Sequence, residues 1–263
     1  TELFGFNEPL LVQYGKWISG IFQGEWGRSI SYGCDISTLL PSRITATLSI
    51  TIPSMIISLA LGVVLGIVSA VKRNSLTDST ISALSNIGMA TPSFWLAICL
   101  VFIFALKLRL LPVQGYTPLT ENVTKGLKEL ILPVVVLSLG STAYYARQTR
   151  SAMLEVINQD YIRTARSKGL KERTTMLVHA LHNAMIPLVT VLGMSIGNLL
   201  GGTVLVEQVF CVPGIGSLLL TAILNMDYFL VQDIILIMSV FALASNLIVD
   251  ILYGYIDPRI RVM

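Results

Sequence analysis

Charge is what this chain has least of. Only 13% of its 263 residues are Asp, Glu, Lys or Arg, against roughly a quarter in a soluble domain of this size. Hydrophobic residues make up 54% and the mean hydropathy is +0.75. The charges are clumped, leaving long uncharged runs, so the chain is an integral membrane protein. The net charge of +3 carries no message by itself and gives no ground for nucleic-acid binding. Cysteine is scarce as well: Cys34, Cys99 and Cys211 have no zinc or redox spacing. Cys99 lies in a hydrophobic run as a small packing residue. Cys34 and Cys211 can share one face, which leaves a disulfide open. The first residue is Thr1 and no signal peptide is visible, so the sequence reads as a trimmed chain.

Motifs for catalysis are missing too. There is no G-x-x-x-x-G-K-S/T phosphate loop, hence no ATP site of the usual kind, and no H-E-x-x-H, G-x-S-x-G or carboxylate cluster. His179 and His182 are three apart on one helix face, but no carboxylate or cysteine adjoins them to complete a metal site; interfacial hydrogen bonding is the plainer role. An ion-driven carrier needs ionisable groups in mid-membrane, yet Glu207, Asp233 and Asp250 fall towards span ends. No inverted repeat is visible. The chain reads as a passage without its own motor.

What is present is a series of long, largely uncharged runs; crossing a bilayer takes about 20 apolar residues, which the run between Arg43 and Lys72 exceeds. Five spans are expected: 46–71, 84–106, 130–148, 184–206 and 229–254. Gly62 and Gly66 form a small pair at the spacing that lets another helix approach closely. Thr91-Pro92 predicts a kink or break in the second span. Gly193, Gly197 and Gly201 share one face of the fourth, either a tight helix contact or the wall of a passage. The third span is short and can extend into the polar helix after it. Residues 1–45 are mixed; Leu10, Leu11, Tyr14, Trp17, Ile18, Ile21 and Phe22 predict an amphipathic helix after Pro9, interfacial or, more plainly, packed on the span ends. Residues 207–228 hold a turn at Cys211–Gly216 and a helix too short to cross, which reads as re-entrant.

Five alternating spans put 72–80, 147–176 and the tail on one side, with 11 of the 18 basic residues, among them Lys72, Arg73, Arg147 and Arg150. The positive-inside rule makes that side cytoplasmic. The longest polar segment, 158–187, therefore faces the cytoplasm. There Asp160 is expected to cap a short helix starting at Tyr161. Gly169 suits the left-handed position beyond its last turn, Arg166 and Lys168 sit at the negative end of its dipole, and a second helix starts near Lys171. With no motor elsewhere, this segment is where a soluble partner would dock; its basic rim also suits anionic lipid.

Tyr161-Ile162-Arg163-Thr164-Ala165-Arg166-Ser167-Lys168-Gly169-Leu170, followed by His179 to Pro187, closely resembles the cytoplasmic EAA-type loop of ABC importer permeases, in the dipeptide/oligopeptide/nickel branch. Pro92-Ser93-Phe94-Trp95-Leu96, Gly201-Gly202-Thr203-Val204 with Glu207, Pro213-Gly214-Ile215-Gly216, Asp227-Tyr228 and Asp257-Pro258-Arg259 extend the likeness nearly end to end. Two departures stand out: the Glu-Ala-Ala of the wider superfamily is Arg163-Thr164-Ala165, and the usual Leu-Pro is Leu181-His182.

The resemblance implies an all-α polytopic bundle of the ABC type I importer permease kind, in a bacterial or archaeal plasma membrane, with a sixth helix preceding these five. Residues 1–45 would be an external segment and 46–263 the permease domain. The chain would be non-catalytic. It would pair with a second homologous permease above two ATPases that hold ATP and Mg, leaving no cofactor on this chain. Tyr161, Arg163, Thr164, Ala165, Arg166, Lys168, Gly169 and Leu170 would couple to an ATPase, and Asn183 and Pro187 would join that lever to the fourth span. An external binding protein would deliver peptides to the outer loops, where Glu207, Pro213, Gly214, Gly216 and Asp227 lie. Nickel or a metal chelate is the alternative cargo. The competing classes are an ATPase-independent carrier or channel and a non-transporting scaffold.

Overall fold

A computed structural model of the chain describes residues 9–181, 183–185 and 203–256. The described residues form helices and one isolated antiparallel bridge between Arg28 and Asp35. Helix α1 (Leu10–Gln23) starts directly after Pro9 and ends where Gly24 adopts φ +85°. The turn after it is held by Arg28, whose Nη2 donates to the Gly33 carbonyl (2.6 Å). Helix α2 (Ile36–Val71) follows and is apolar all round. It starts ten residues ahead of the expected span at 46, so the proposed external segment 1–45 includes its first turns. Pro41 lies in those turns and Arg43 follows it, and together they hid the helix start from a reading based on uncharged runs.

Helix α3 (Leu76–Ala90) is capped by Ser75, whose hydroxyl accepts from the Asp78 amide (3.2 Å). Thr91-Pro92 then breaks the chain, and α4 (Ser93–Lys107, its last part a π-helix from Val101 to Lys107) leaves at 102° to α3. The second expected span is thus two helices at nearly a right angle. Helix α5 (Val123–Ile157) is capped by Asn122 Oδ1, which accepts from the Lys125 amide (3.0 Å). It runs unbroken through the basic region beyond 148. Helix α6 (Asp160–Ser167) and α7 (Glu172–Thr174, continued by Thr175–Ala180) follow. Most of the expected fourth span lies outside the described residues; its end appears as α8 (Thr203–Phe210), bent by 87° against α9 (Ile215–Leu224). Helix α10 (Tyr228–Ile256) is the last element among the described residues.

Among the described residues α2, α5 and α10 are long and apolar enough to cross a membrane, and the two bent pairs bring the number of candidate spans to five. Large apolar side chains such as Ile56, Val64, Phe102, Leu243 and Leu247 are exposed on the outside of the bundle. That is favourable only where the surroundings are hydrocarbon. Helices α2 and α5 form the axis. A methyl on Gly62 or Gly66 would overlap Tyr145 or Thr149 of α5, so these two glycines are where the backbones approach most closely.

Three apolar clusters divide the bundle. One joins the middle of α2 with α4, α5 and α8 through Ile50, Ala97, Leu137, Val206 and Phe210. A second joins the start of α2 with α9 and α10 through Ile36, Leu218, Leu230 and Ile234. The third lies at the opposite end of α2, under α6 and α7. Cys34, Cys99 and Cys211 are free thiols.

Candidate functional site

Helix α6 is short and polar, with apolar side chains only where it meets the bundle. Ile162 is fully buried and Ala165 nearly so, three residues apart on one face. They pack with Ala70 of α2, Ala152 and Met153 of α5, and Met176 and Ala180 of α7. Burying an isoleucine side chain stabilises such a contact by roughly 1.5–3 kcal/mol. The other face is open: Tyr161, Arg163, Thr164, Arg166, Lys168 and Leu170 are all exposed. Ala165 thus belongs to the packed face and is turned away from any partner on the open one. Neighbouring atoms desolvate part of the exposed Tyr161 ring, which pushes its phenol up from its ordinary value.

Asp160 is the first helical residue and makes no capping bond. The amides of Ile162 and Arg163 go instead to the Gln159 carbonyl (3.1 and 3.3 Å), which leaves Asp160 facing Arg163 at 3.6 Å in the open. Such exposed pairs contribute about 0–1 kcal/mol. At the other end Gly169 has φ +77°. The Leu170 amide reaches back to the Ala165 carbonyl (3.4 Å) and the Gly169 amide to that of Arg166 (2.9 Å), which satisfies carbonyls at the helix end. Arg166 then grips Glu172 across the turn with both Nε and Nη2 (3.1 and 2.8 Å). The turn is a glycine pivot bridged by one exposed bidentate ion pair.

The bundle beneath α6 is fastened by a pair that sequence reasoning missed. Arg150 of α5 donates from Nε and Nη2 to the two carboxylate oxygens of Asp78 on α3 (2.7 and 2.9 Å). Ser69 at the end of α2 and the Asn74 amide also donate to Asp78, so one buried carboxylate ties α2, the intervening turn, α3 and α5 together. The available signal was that Asp78 is the only acidic residue between Lys72 and Lys107.

At the far end of the bundle, Asp227 precedes α10 and is buried. It accepts from Ser29 Oγ (2.6 Å) and from the amides of Ser31 (3.0 Å) and Leu230 (3.4 Å). An Asp directly before a long apolar run is a readable cap signal; its tie to residues 29–31 is not. Trp17 Nε1 donates to Asp233 Oδ1 (2.9 Å) and anchors α1, none of whose residues is buried. Helix α1 thus lies on the outside of the bundle, with Leu10, Leu11 and Phe22 open. Glu207, expected in an external loop, lies within α8 and is completely buried, and Pro213, Gly214 and Gly216 form the bend beside it. Asn183 follows α7, while Pro187, Gly193, Gly197, Gly201, His182 and the segment Asp257-Pro258-Arg259 lie outside the described residues.

A family model described as "Binding-protein-dependent transport system inner membrane component" matches residues 62–262. The chain belongs to this family. Its similarity to individual members runs nearly end to end. It is 42% identical over 260 residues, 99% of this chain and 83% of the other, to the "Probable peptide ABC transporter permease protein y4tP" of Sinorhizobium fredii. It is 40% identical over 263 residues to the "Oligopeptide transport system permease protein AppB" of Bacillus subtilis, again covering 99% and 83% of the two chains. In solved structures the fold matches the MetNI methionine ABC transporter in an inward-facing conformation, with a TM-score of 0.68 over 83% of this chain and 96% of that one at 18% identity. The permease is accordingly a multi-pass, non-catalytic subunit of an ABC importer, with the helical fold of importer permeases. ATP hydrolysis falls to a separate ATPase chain, and a substrate-binding protein belongs to the system.

Proposed function

We propose that this permease pairs with a second, homologous permease to form the passage of an ATP-driven peptide importer. Two ATPases bind ATP and Mg beneath the pair, and this chain itself holds no cofactor. The open face of α6 seats in a groove of one ATPase. In this reading α6 lies in the cytoplasm of a bacterial or archaeal cell, and the bend between α8 and α9 lies outside, towards the binding protein. The observation that carries the proposal is a helix packed on the bundle only through Ile162 and Ala165, with every other side chain presented outward beside a glycine pivot. A rigid helix held in this way moves as a unit and passes its displacement to α2 and α5 through the cluster beneath it. The peptide relatives favour peptides over nickel or a metal chelate as cargo.

The test is reconstitution in liposomes with the companion permease, the ATPases and the binding protein. Peptide uptake that requires ATP and every component is expected. Uptake by this chain alone would contradict the proposal and favour an ATPase-independent carrier.

A further inference from the structure

The bend between α8 and α9 leaves the first amides of α9 inside the bundle. A buried helix start is costly, because each unpartnered N–H has lost its water. Here side chains meet two of the first three amides. Ile215 N–H donates to Thr47 Oγ1 (2.8 Å) and Ser217 N–H to Glu207 Oε2 (2.7 Å). The Gly216 amide lies between these two, beside the Glu207 carboxylate, which bonds Thr203 of its own helix as well. The Thr47 hydroxyl completes the set by donating to Glu207 Oε1 (2.7 Å). Glu207 and Thr203 are fully buried and Thr47 is 3% exposed. The space exists because the bend is built from glycine. A methyl on Gly214 would fall on the Glu207 carboxylate and the Thr47 hydroxyl, and one on Gly216 would press on Glu207 Oε2 and Val204.

A carboxylate at a helix start suits the local dipole, and that alone would make Glu207 a cap. Thr47 adds a second function, because it belongs to α2. Its one hydroxyl accepts from α9 and donates to α8's carboxylate, so a single side chain ties both arms of the bend to α2. The same helix ends 24 residues later at Val71, beside the Asp78–Arg150 pair and the cluster under α6. The two ends of the bundle thus share one continuous helix.

We propose that Glu207 and Thr47 form a latch: Glu207 is the positioning residue that sets the bend, and Thr47 fastens the bent pair to α2 so that it follows α2 as the passage changes access. The part of this played in transport rests on the importer reading above; the latch itself does not. Thr47→Val removes the hydroxyl at nearly constant volume and leaves Glu207 on the α9 amides, while Thr47→Ser keeps the hydroxyl. Cys211 sits in the bend as an exposed thiol and reports its position once Cys34 and Cys99 are replaced by Ser.

The experiment measures the reaction of Cys211 with a membrane-impermeant maleimide in the assembled transporter, alongside ATP-driven peptide uptake. For Thr47→Val, labelling faster by about threefold or more and uptake lower by about five- to tenfold are expected, the latter being the scale of one lost hydrogen bond. Thr47→Ser should match the parent in both. Unchanged labelling in Thr47→Val overturns the latch. Changed labelling with normal uptake removes it from transport, and failure of Thr47→Ser to restore the parent values assigns the effect to packing. Should Thr47→Val fail to assemble, Glu207→Gln, with one acceptor oxygen fewer at the same size, takes its place under the same criteria. A parent transporter that takes up no peptide but still shows the labelling difference overturns the importer reading and leaves the latch standing.

Discussion

Asp227 is a buried carboxylate that stays ionised by local bonding. Burial pushes its carboxyl up, but the donors from Ser29, Ser31 and Leu230 outweigh burial and hold it below its ordinary value of 3.8. A folded-state value below the unfolded one stabilises the protein fully at pH above 3.8, and the contribution is lost as pH falls through the depressed folded value. Asp227→Asn should therefore melt earlier than the parent near neutral pH, by about 1–3 kcal/mol for disrupted bonds to a buried charged group. The gap should narrow once the pH is taken below 3.8. Thermal unfolding in detergent across that range measures it, and a gap independent of pH would contradict the account. The capping half of this arrangement was legible, since Asp227 directly precedes an apolar run. Its partners were not, because Ser29 lies 198 residues away and no local pattern links the two. Asp78 and Arg150 were hidden for the same reason. Asp160 was misread because Gln159 supplies a main-chain oxygen to the same amides, a contest that side-chain preference does not decide.

At the scale of elements, periodicity and punctuation were readable where the determinant is local. The α1 stripe, the glycine at the end of α6 and the break at Thr91-Pro92 all appear where the sequence puts them. Angles were not readable. Pro92 marks a break, but nothing local to it specifies the 102° between α3 and α4, both of which pack on α5. The start of α2 was misplaced because a helix in a membrane protein continues through Pro and Arg once its end leaves the hydrocarbon. Gly169 gives the sharpest prediction at this scale. With φ +77°, a β-branched residue there costs about 1–2 kcal/mol in the left-handed conformation. Gly169→Val should reduce peptide uptake per ATP hydrolysed while the transporter still assembles. Measuring hydrolysis and uptake together checks this, and an unchanged ratio would refute the pivot.

For the molecule as a whole, composition pointed to a membrane bundle, the missing motifs to a motor on another chain, and the polar segment stood out by contrast. Three dimensions add that this segment and the far-end bend both engage α2, the bend in its first half at Thr47 and the segment at its last turn at Ala70. The sequence keeps these contacts far apart: Thr47 meets Ile215, and Ala70 clusters with Ile162. The central claim is that the open face of α6 contacts an ATPase and not the lipid surface that its basic rim would also suit. Photo-crosslinking from Arg163 or Lys168 in membranes carrying the complete transporter tests this most directly. The account predicts an adduct with an ATPase subunit from both positions. Adducts with phospholipid alone, or none with an ATPase, would contradict it.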